Sequence, residues 1–379
     1  AFGIEAGFLN SSMNRADYDA VKQKVLNQEL KLLYVAPESL VKEEFIDFLK
    51  QAKVSFMAVD EAHCISEWGH DFRPEYLGLA TLADRFPGVP RMALTATADV
   101  PTRDEITQRL ALHDPQRFVA SFDRPNIRYA IVERDNPKKQ LLSFLERHEG
   151  ASGLVYCLSR RKVEETAAWL NTQGIRALPY HAGLDASVRA ANQAAFLNEE
   201  NLCLVATVAF GMGIDKPDVR FVAHLDLPSS VEAYYQETGR AGRDGQPSDA
   251  WMAYGMSDVS QRRRMIDEGG SPEAVKQVER AKLDALLHVC ETADCRRQAL
   301  LAHFGEQHEG GCGNCDACLN PAEMWDGTEA ARKALSAIYR TGQRVGAGNL
   351  IDILRGNRTG KVERSRHDDL PTFGVGRSS

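Results

Sequence analysis

The chain has 379 residues, room for two or three domains, and its 43% hydrophobic and 26% charged content is that of an ordinary globular protein rather than a disordered one. A formal net charge of −7 excludes a uniformly basic nucleic-acid coat, so any such binding must use local patches such as Arg262 to Arg264 or the tail from Arg340 onward. No apolar run approaches a membrane span and the N-terminus has no basic, apolar, small-residue signal, so the expectation is a cytoplasmic protein with no membrane partner.

The chain opens at Ala1 on AFGIEAGFLNSSM, which reads as the middle of a domain. Helical periodicity covers Asp17 to Gln28, and Leu32 to Ala36 predicts a short buried strand ended by Pro37. A second apolar run, Phe56 to Val59, predicts a buried parallel strand and stops on Asp60 and Glu61. Ligands of parallel sheets bind beyond the carboxyl ends of the strands. A carboxylate there can hold Mg²⁺ while its neighbour orients or deprotonates water, although an acidic pair can equally cap the segment that follows. The next loop carries Trp68, His70, Phe72, Arg73 and Tyr76, groups that stack on bases and pair with phosphate, with Gly69 and Pro74 breaking any helix. Arg91 to Ala98 predicts a third strand running into Thr95 and Thr97, and a helix from Pro101 to Leu110 closes this unit.

The run DEAHCISEWGHDFRPEY, Asp60 to Tyr76, resembles the Walker B motif and aromatic-rich loop of RecQ-family DNA helicases. That resemblance implies that Asp60 serves Mg²⁺, that Glu61 is the catalytic base and that His63 links two motor domains. It also implies that Trp68, His70, Phe72 and Arg73 report DNA binding to an ATP site, and that Thr95 and Thr97 couple hydrolysis to domain movement.

Around SFDRPNIRY, Ser121 to Tyr129, the pattern restarts, and Asp-Arg-Pro-Asn marks a link between domains. Predicted strands at Gly153 to Cys157, Ala177 to Tyr180, Cys203 to Thr207, Val219 to His224 and Ala250 to Tyr254 alternate with helices Lys162 to Gln173 and Ser187 to Leu197, the pattern of a parallel sheet with covering helices. YCLSR, YHAGL and VATVAFGMGIDKPDVR resemble DNA- and nucleotide-facing loops of the same family, which singles out Ser159, Arg160, His181 and Thr207. Gly211 and Gly213 let backbone approach a phosphate, and Asp215 is placed to meet a ribose hydroxyl. In YYQETGRAGRDG, Arg240 and Arg243 are three apart and would share one face of a helical turn. The resemblance makes Arg243 an arginine finger and Arg240 a further phosphate contact, with Gln236 nearby.

After Gly255 the strands cease, and helices are predicted over Asp258 to Glu268 and Pro272 to Cys290. Five of the eight cysteines fall between Cys290 and Cys318. Two consecutive CxxC steps gather Cys312, Cys315 and Cys318, Cys295 can complete a tetrahedral Zn²⁺ site, and Cys290 is expected to pack. GCGNCDAC resembles the RecQ-family zinc module, and helices over Glu329 to Thr341 and Val345 to Leu354 resemble the start of the winged helix that follows it.

The expected fold is therefore α/β: tandem RecA-like parallel-sheet domains, the first incomplete (1–121) and the second at 122–255, then a helical zinc-binding module (256–325) and a partial winged helix (326–379). The expected function is an ATP-dependent DNA helicase with ATP, Mg²⁺ and Zn²⁺ as cofactors, single-stranded and duplex DNA and DNA-repair proteins as partners, and a nucleoid location; its 3′→5′ direction comes from the resemblance alone. No GxxxxGK[ST] loop occurs in the sequence, which reads as a fragment not competent alone, the resemblance placing that loop upstream. Two other readings stand: a DEAH-type RNA helicase, which leaves the aromatic loop and four cysteines without a role, and a non-catalytic zinc and winged-helix adaptor, which has no need of Glu61 or Arg243.

Overall fold

The computed structural model describes residues 3–10, 13–66, 72–208 and 215–377, so Trp68, His70, Gly211 and Gly213 lie outside the described residues. The chain divides into two compact units, Ala1–Pro321 and Ala322–Ser379.

In the larger unit, β5 (Ile127–Glu133), β6 (Gly153–Tyr156), β7 (Ala177–Tyr180), β8 (Cys203–Ala206), β9 (Phe221–His224) and β10 (Ser248–Tyr254) form one sheet in the order β5-β10-β9-β6-β8-β7. Every neighbouring pair in it is parallel. Strands β6, β8 and β9 are buried at every position, as continuous apolar runs covered on both faces must be. Alternation along β6 sorts the two cores. Leu154 and Tyr156 join Leu204, Val222, Val231 and Tyr234 on one face, while Val155 and Cys157 join Val205, Ala223, Val163, Leu170 and Leu141 on the other. Burial pushes the Cys157 thiol up to about 12, in keeping with a small core residue.

Two elements here escaped the sequence reading. Strand β5 is an edge strand whose residues alternate between buried and half-buried, and the Asp-Arg-Pro-Asn sequence before it masked it as a linker. The helix Pro137–Leu145 that follows starts on Asn136, whose side chain accepts from the Lys139 amide.

Residues before the link are arranged differently. Strand β1 (Ala6–Leu9) pairs in parallel with β2 (Leu32–Val35), and β3 (Met57–Val59) pairs in parallel with β4 (Arg91–Ala93), as two separate two-stranded sheets. The strand predicted to reach Ala98 stops at Ala93, where its partner β3 ends at Val59: the Leu94 amide makes the last ladder bond, to Val59 O at 2.8 Å, and past the turn at Glu61 the Leu94 O accepts from the Ala62 amide at 2.9 Å. Phe8, Tyr34, Phe56, Met92 and Leu94 are all exposed in these strands or at their ends, whereas the six-stranded sheet has no such row among its described residues.

The smaller unit is helical, with Thr328–Arg340, Ala347–Arg355 and Gly360–Arg364 gathering the buried residues Ala337, Ile353 and Val362. Among the described residues no helix is long and apolar enough to cross a membrane.

Two-stranded sheets with exposed apolar side chains open more readily than a six-stranded sheet buried on both faces. Hydrogen exchange read by mass spectrometry is expected to show residues 13–66 and 91–110 exchanging at least tenfold faster than β6, β8 and β9; equal protection of the two regions would contradict this.

Candidate functional site

Strand β3 delivers the acidic pair. Asp60 Oδ1 accepts from the Glu61 amide at 2.8 Å, and Glu61 itself is left-handed at φ 49° and ψ 41°, a conformation costing a non-glycine residue about 1 kcal/mol. The turn drops Ala62–Ile65 into the core as a short 3₁₀ segment, with His63 only 1% exposed. His63 Nδ1 lies 2.9 Å from Thr95 Oγ1 and 3.4 Å from Glu61 Oε2, so one imidazole joins the ends of β3 and β4. Thr95 Oγ1 in turn donates to Thr97 O at 3.4 Å. Burial pushes the Tyr76 phenol up to about 12, keeping it a donor to Asp60 O at 3.2 Å. Phe72 and Arg73 are half-buried, and the Arg73 amide returns the loop to Cys64 O at 3.0 Å.

The second set follows helix Val231–Thr238, which starts on Ser230, its hydroxyl oxygen accepting from the Ala233 amide at 3.2 Å. Gln236 is half-buried on this helix. Arg240, 5% exposed, is hydrogen-bonded to the Tyr156 side chain. Tyr156 stacks on His224 with ring centroids 5.3 Å apart, and His224 Nε2 lies 2.7 Å from Glu237 Oε2. Arg240 is therefore built into the ends of β6 and β9. Arg243 is 39% exposed, and its Nη1 donates to Asp215 Oδ1 at 3.1 Å. The two arginines, paired by spacing in the sequence, thus occupy different surroundings.

The remaining nucleic-acid candidates gather at the carboxyl ends of β6, β7 and β8. Ser159 caps helix Arg160–Thr172, accepting from the Lys162 amide at 3.2 Å, and Arg160 is exposed beside Gly183. Thr207 is half-buried, its amide on Tyr180 O at 3.2 Å. His181 is 2% exposed; Nε2 lies 3.0 Å from Glu164 Oε1 and Nδ1 accepts from the Gly183 amide at 3.2 Å, so both nitrogens face protein groups. Of the basic run Arg262 to Arg264, Arg262 donates to Leu227 O at 2.7 Å, with burial lowering its pKa, while Arg263, paired with Asp284 at 3.2 Å, and Arg264 are exposed.

Cys295 heads helix Arg296–His303 and Cys315 heads Asp316–Leu319, bringing the Sγ atoms of Cys295, Cys312, Cys315 and Cys318 within 4.8 Å of one another. Cys312 and Cys318 are 3.9 Å apart, close to the edge of about 3.8 Å that tetrahedral Zn–S bonds of about 2.3 Å require. These four thiols fit a structural Zn²⁺, which needs no open position. Cys290 is buried away from the cluster, its thiol pushed up to about 12 by burial.

This module also covers the free edge of β5. The Tyr129 amide donates to Asn314 O at 3.4 Å and the Ile131 amide to Asp316 Oδ2 at 3.3 Å. Arg296 holds Asp316 with Nε–Oδ1 at 3.1 Å and Nη2–Oδ2 at 3.2 Å.

A cleft of about 490 Å³ brings His63, Ser66 and Thr97 together with Glu232 on the helix before the arginines and Lys282 on Glu273–Glu291. Glu232 and Lys282 were not singled out in sequence, where they read as ordinary helix charges. Burial alone would raise the Glu232 carboxyl, but the His303 hydrogen bond and charge outweigh it and hold the group at about 2.

Four family descriptions match successive stretches: DEAD/DEAH box helicase at 4–106, helicase conserved C-terminal domain at 136–245, RecQ zinc-binding at 256–319 and RQC domain at 321–379. The chain is 47% identical over 378 residues to a protein named ATP-dependent DNA helicase RecQ from Pasteurella multocida, covering 100% of this chain and 60% of that one. A protein of the same name from Haemophilus influenzae is 46% identical, over 100% of this chain and 61% of its own length. The chain thus spans about three fifths of the relatives it matches. Among solved structures, Saccharomyces cerevisiae Dbp5 bound to RNA and ADP BeF3 superposes with a TM-score of 0.53 at 14% identity, over 74% of each chain, a likeness of fold.

Metal analysis is expected to find one Zn²⁺ per chain. Cys315→Ser should release it and make residues 290–320 protease-sensitive, since free thiols do not replace a metal-held core. Metal-free protein with unchanged proteolysis would contradict the site.

Proposed function

The chain belongs to the RecQ family of helicases, and on that premise we propose that it forms part of an ATP-driven DNA helicase. In this reading the cofactors are ATP, Mg²⁺ and Zn²⁺, and the substrates are single-stranded and duplex DNA. The observation that carries it is Glu61, fixed in a left-handed turn at the carboxyl end of β3 and facing His63, which reaches Thr95 at the end of β4. Bound Mg²⁺ and ATP bring the phosphoryl group whose transfer to water drives the cycle. Asp60, exposed at the strand end, would hold the Mg²⁺, and the Glu61 carboxylate would accept the proton of the attacking water. The strained turn at Glu61 is pre-organised, so no backbone rearrangement is needed at the moment of reaction.

Arg243 meets the charge that spreads over the phosphoryl oxygens, exchanging its Asp215 partner for them, while the buried Arg240 supports the turn through Tyr156. His63, Thr95 and Thr97 carry the state of the acidic turn toward the cleft shared with Glu232 and Lys282. The 3′→5′ direction, partnership with DNA-repair proteins and a cytoplasmic, nucleoid-associated location belong to the proposal through the RecQ-family resemblance of the sequence motifs alone.

In the full-length protein, Arg243→Ala is expected to lower DNA-stimulated turnover about 10³-fold or more while leaving ATP binding within a few-fold, because the group acts on transition-state charge. A large loss of ATP affinity with unchanged turnover would remove that role. Phe72→Ala is expected to leave basal hydrolysis in place and abolish its stimulation by single-stranded DNA; normal stimulation would move the DNA sensor elsewhere.

A further inference from the structure

We infer that Arg124, in the link between the two strand regions, is a positioning residue that fixes the backbone from which Arg243 reaches; the inference rests on the proposed role of Arg243. Arg124 Nη1 donates to Gly239 O at 2.9 Å, and its Nη2 donates to Ala241 O at 2.7 Å and Gly242 O at 3.0 Å. One planar guanidinium thus collects three carbonyls of the turn that carries both arginines. An ammonium, with a single nitrogen, cannot span them.

Asn126, immediately before β5, closes the same turn, its Nδ2 donating to Gly242 O at 2.8 Å and Gln246 O at 2.9 Å. The clamp accounts for Gly242, which has φ +57° and where an added Cβ would lie 2.3 Å from Asn126 Nδ2. On the far side of Arg243 the Asp244 amide donates to Pro217 O at 3.2 Å, and Arg220 Nη2 reaches both Asp244 carboxylate oxygens at 2.7 Å. The backbone is fixed before and after Arg243, while the side chain stays 39% exposed. That combination suits a group that must reach a reacting phosphate without its base moving.

The link that bears Arg124 is itself anchored. Asp123 pairs with Arg297, which is 3% exposed and also donates to Ile127 O at 2.8 Å. Phe122 stacks on Phe304 with centroids 4.5 Å apart, and its amide donates to Glu306 Oε2 at 2.7 Å. Tyr235, on the helix leading into the turn, donates to Phe122 O at 2.9 Å. The guanidinium therefore holds the turn against a fixed frame rather than against a loose connection.

Arg124→Lys tests this, since it keeps the charge and the stem and loses the fork. Hydrogen exchange on this chain is expected to show the amides of Arg240 to Asp244 exchanging tenfold or more faster, with β6, β8 and β9 unchanged. In the full-length protein kcat is expected to fall at least tenfold with the KM for ATP within twofold. In an Arg243→Ala background the same lysine should lower kcat no further. Unchanged exchange at the turn, or an equal further loss of kcat in that background, overturns the inference. If Arg243→Ala alone leaves kcat intact, the proposed role of Arg243 falls and the positioning inference falls with it, whereas faster exchange would still report the backbone clamp.

Discussion

Strands β6, β8 and β9 are buried at every position, so a polar side chain can leave this sheet without a desolvation cost only where a strand ends. The candidate chemistry follows from that constraint. Ser159 and Arg160 come just after β6, His181 just after β7 and Thr207 just after β8. The same rule governs the smaller sheets, where Asp60 and Glu61 follow β3 and Thr95 follows β4. Groups far apart in sequence are thereby delivered to strand ends, and His63 joins two of those ends through a single ring.

A second constraint is the free edge of β5. An unpaired parallel edge is both a cost and an aggregation hazard, and here the cysteine-bearing loop satisfies the Tyr129 and Ile131 amides. Holding four thiolates around a metal can contribute of order 10 kcal/mol to ordering such a segment. The zinc module thus completes the sheet, and through Arg297 and Asp123 it also sets the link that grips the arginine-bearing turn. The cysteine cluster, sheet edge and arginine turn form one contiguous packing arrangement.

Much of this was legible in the sequence because the signals were local. Apolar runs ending on Asp60 and Glu61, the CxxC steps at Cys312, Cys315 and Cys318, and the Arg240 and Arg243 spacing each needed only a few neighbouring residues. What stayed hidden was long-range. Nothing near Arg124 reveals that its partners are carbonyls more than a hundred positions away, and Asp-Arg-Pro-Asn read as punctuation. Strand β5 hid for the same reason, since its edge is completed by Asn314 and Asp316. Burial separated residues that spacing had grouped: Arg240 is 5% exposed against 39% for the Arg243 side chain, and His181 spends both nitrogens on protein partners.

Glu61 is the group proposed to activate water for phosphoryl transfer. Glu61→Gln keeps the shape and hydrogen-bonding reach of the side chain while removing its basicity. Single-turnover hydrolysis in the full-length protein, with single-stranded DNA present, measures that step apart from product release. ATP binding is expected within a few-fold of the parent and hydrolysis lowered at least about a hundredfold; a glutamine variant that hydrolyses ATP at the parental rate would contradict the proposed role of Glu61.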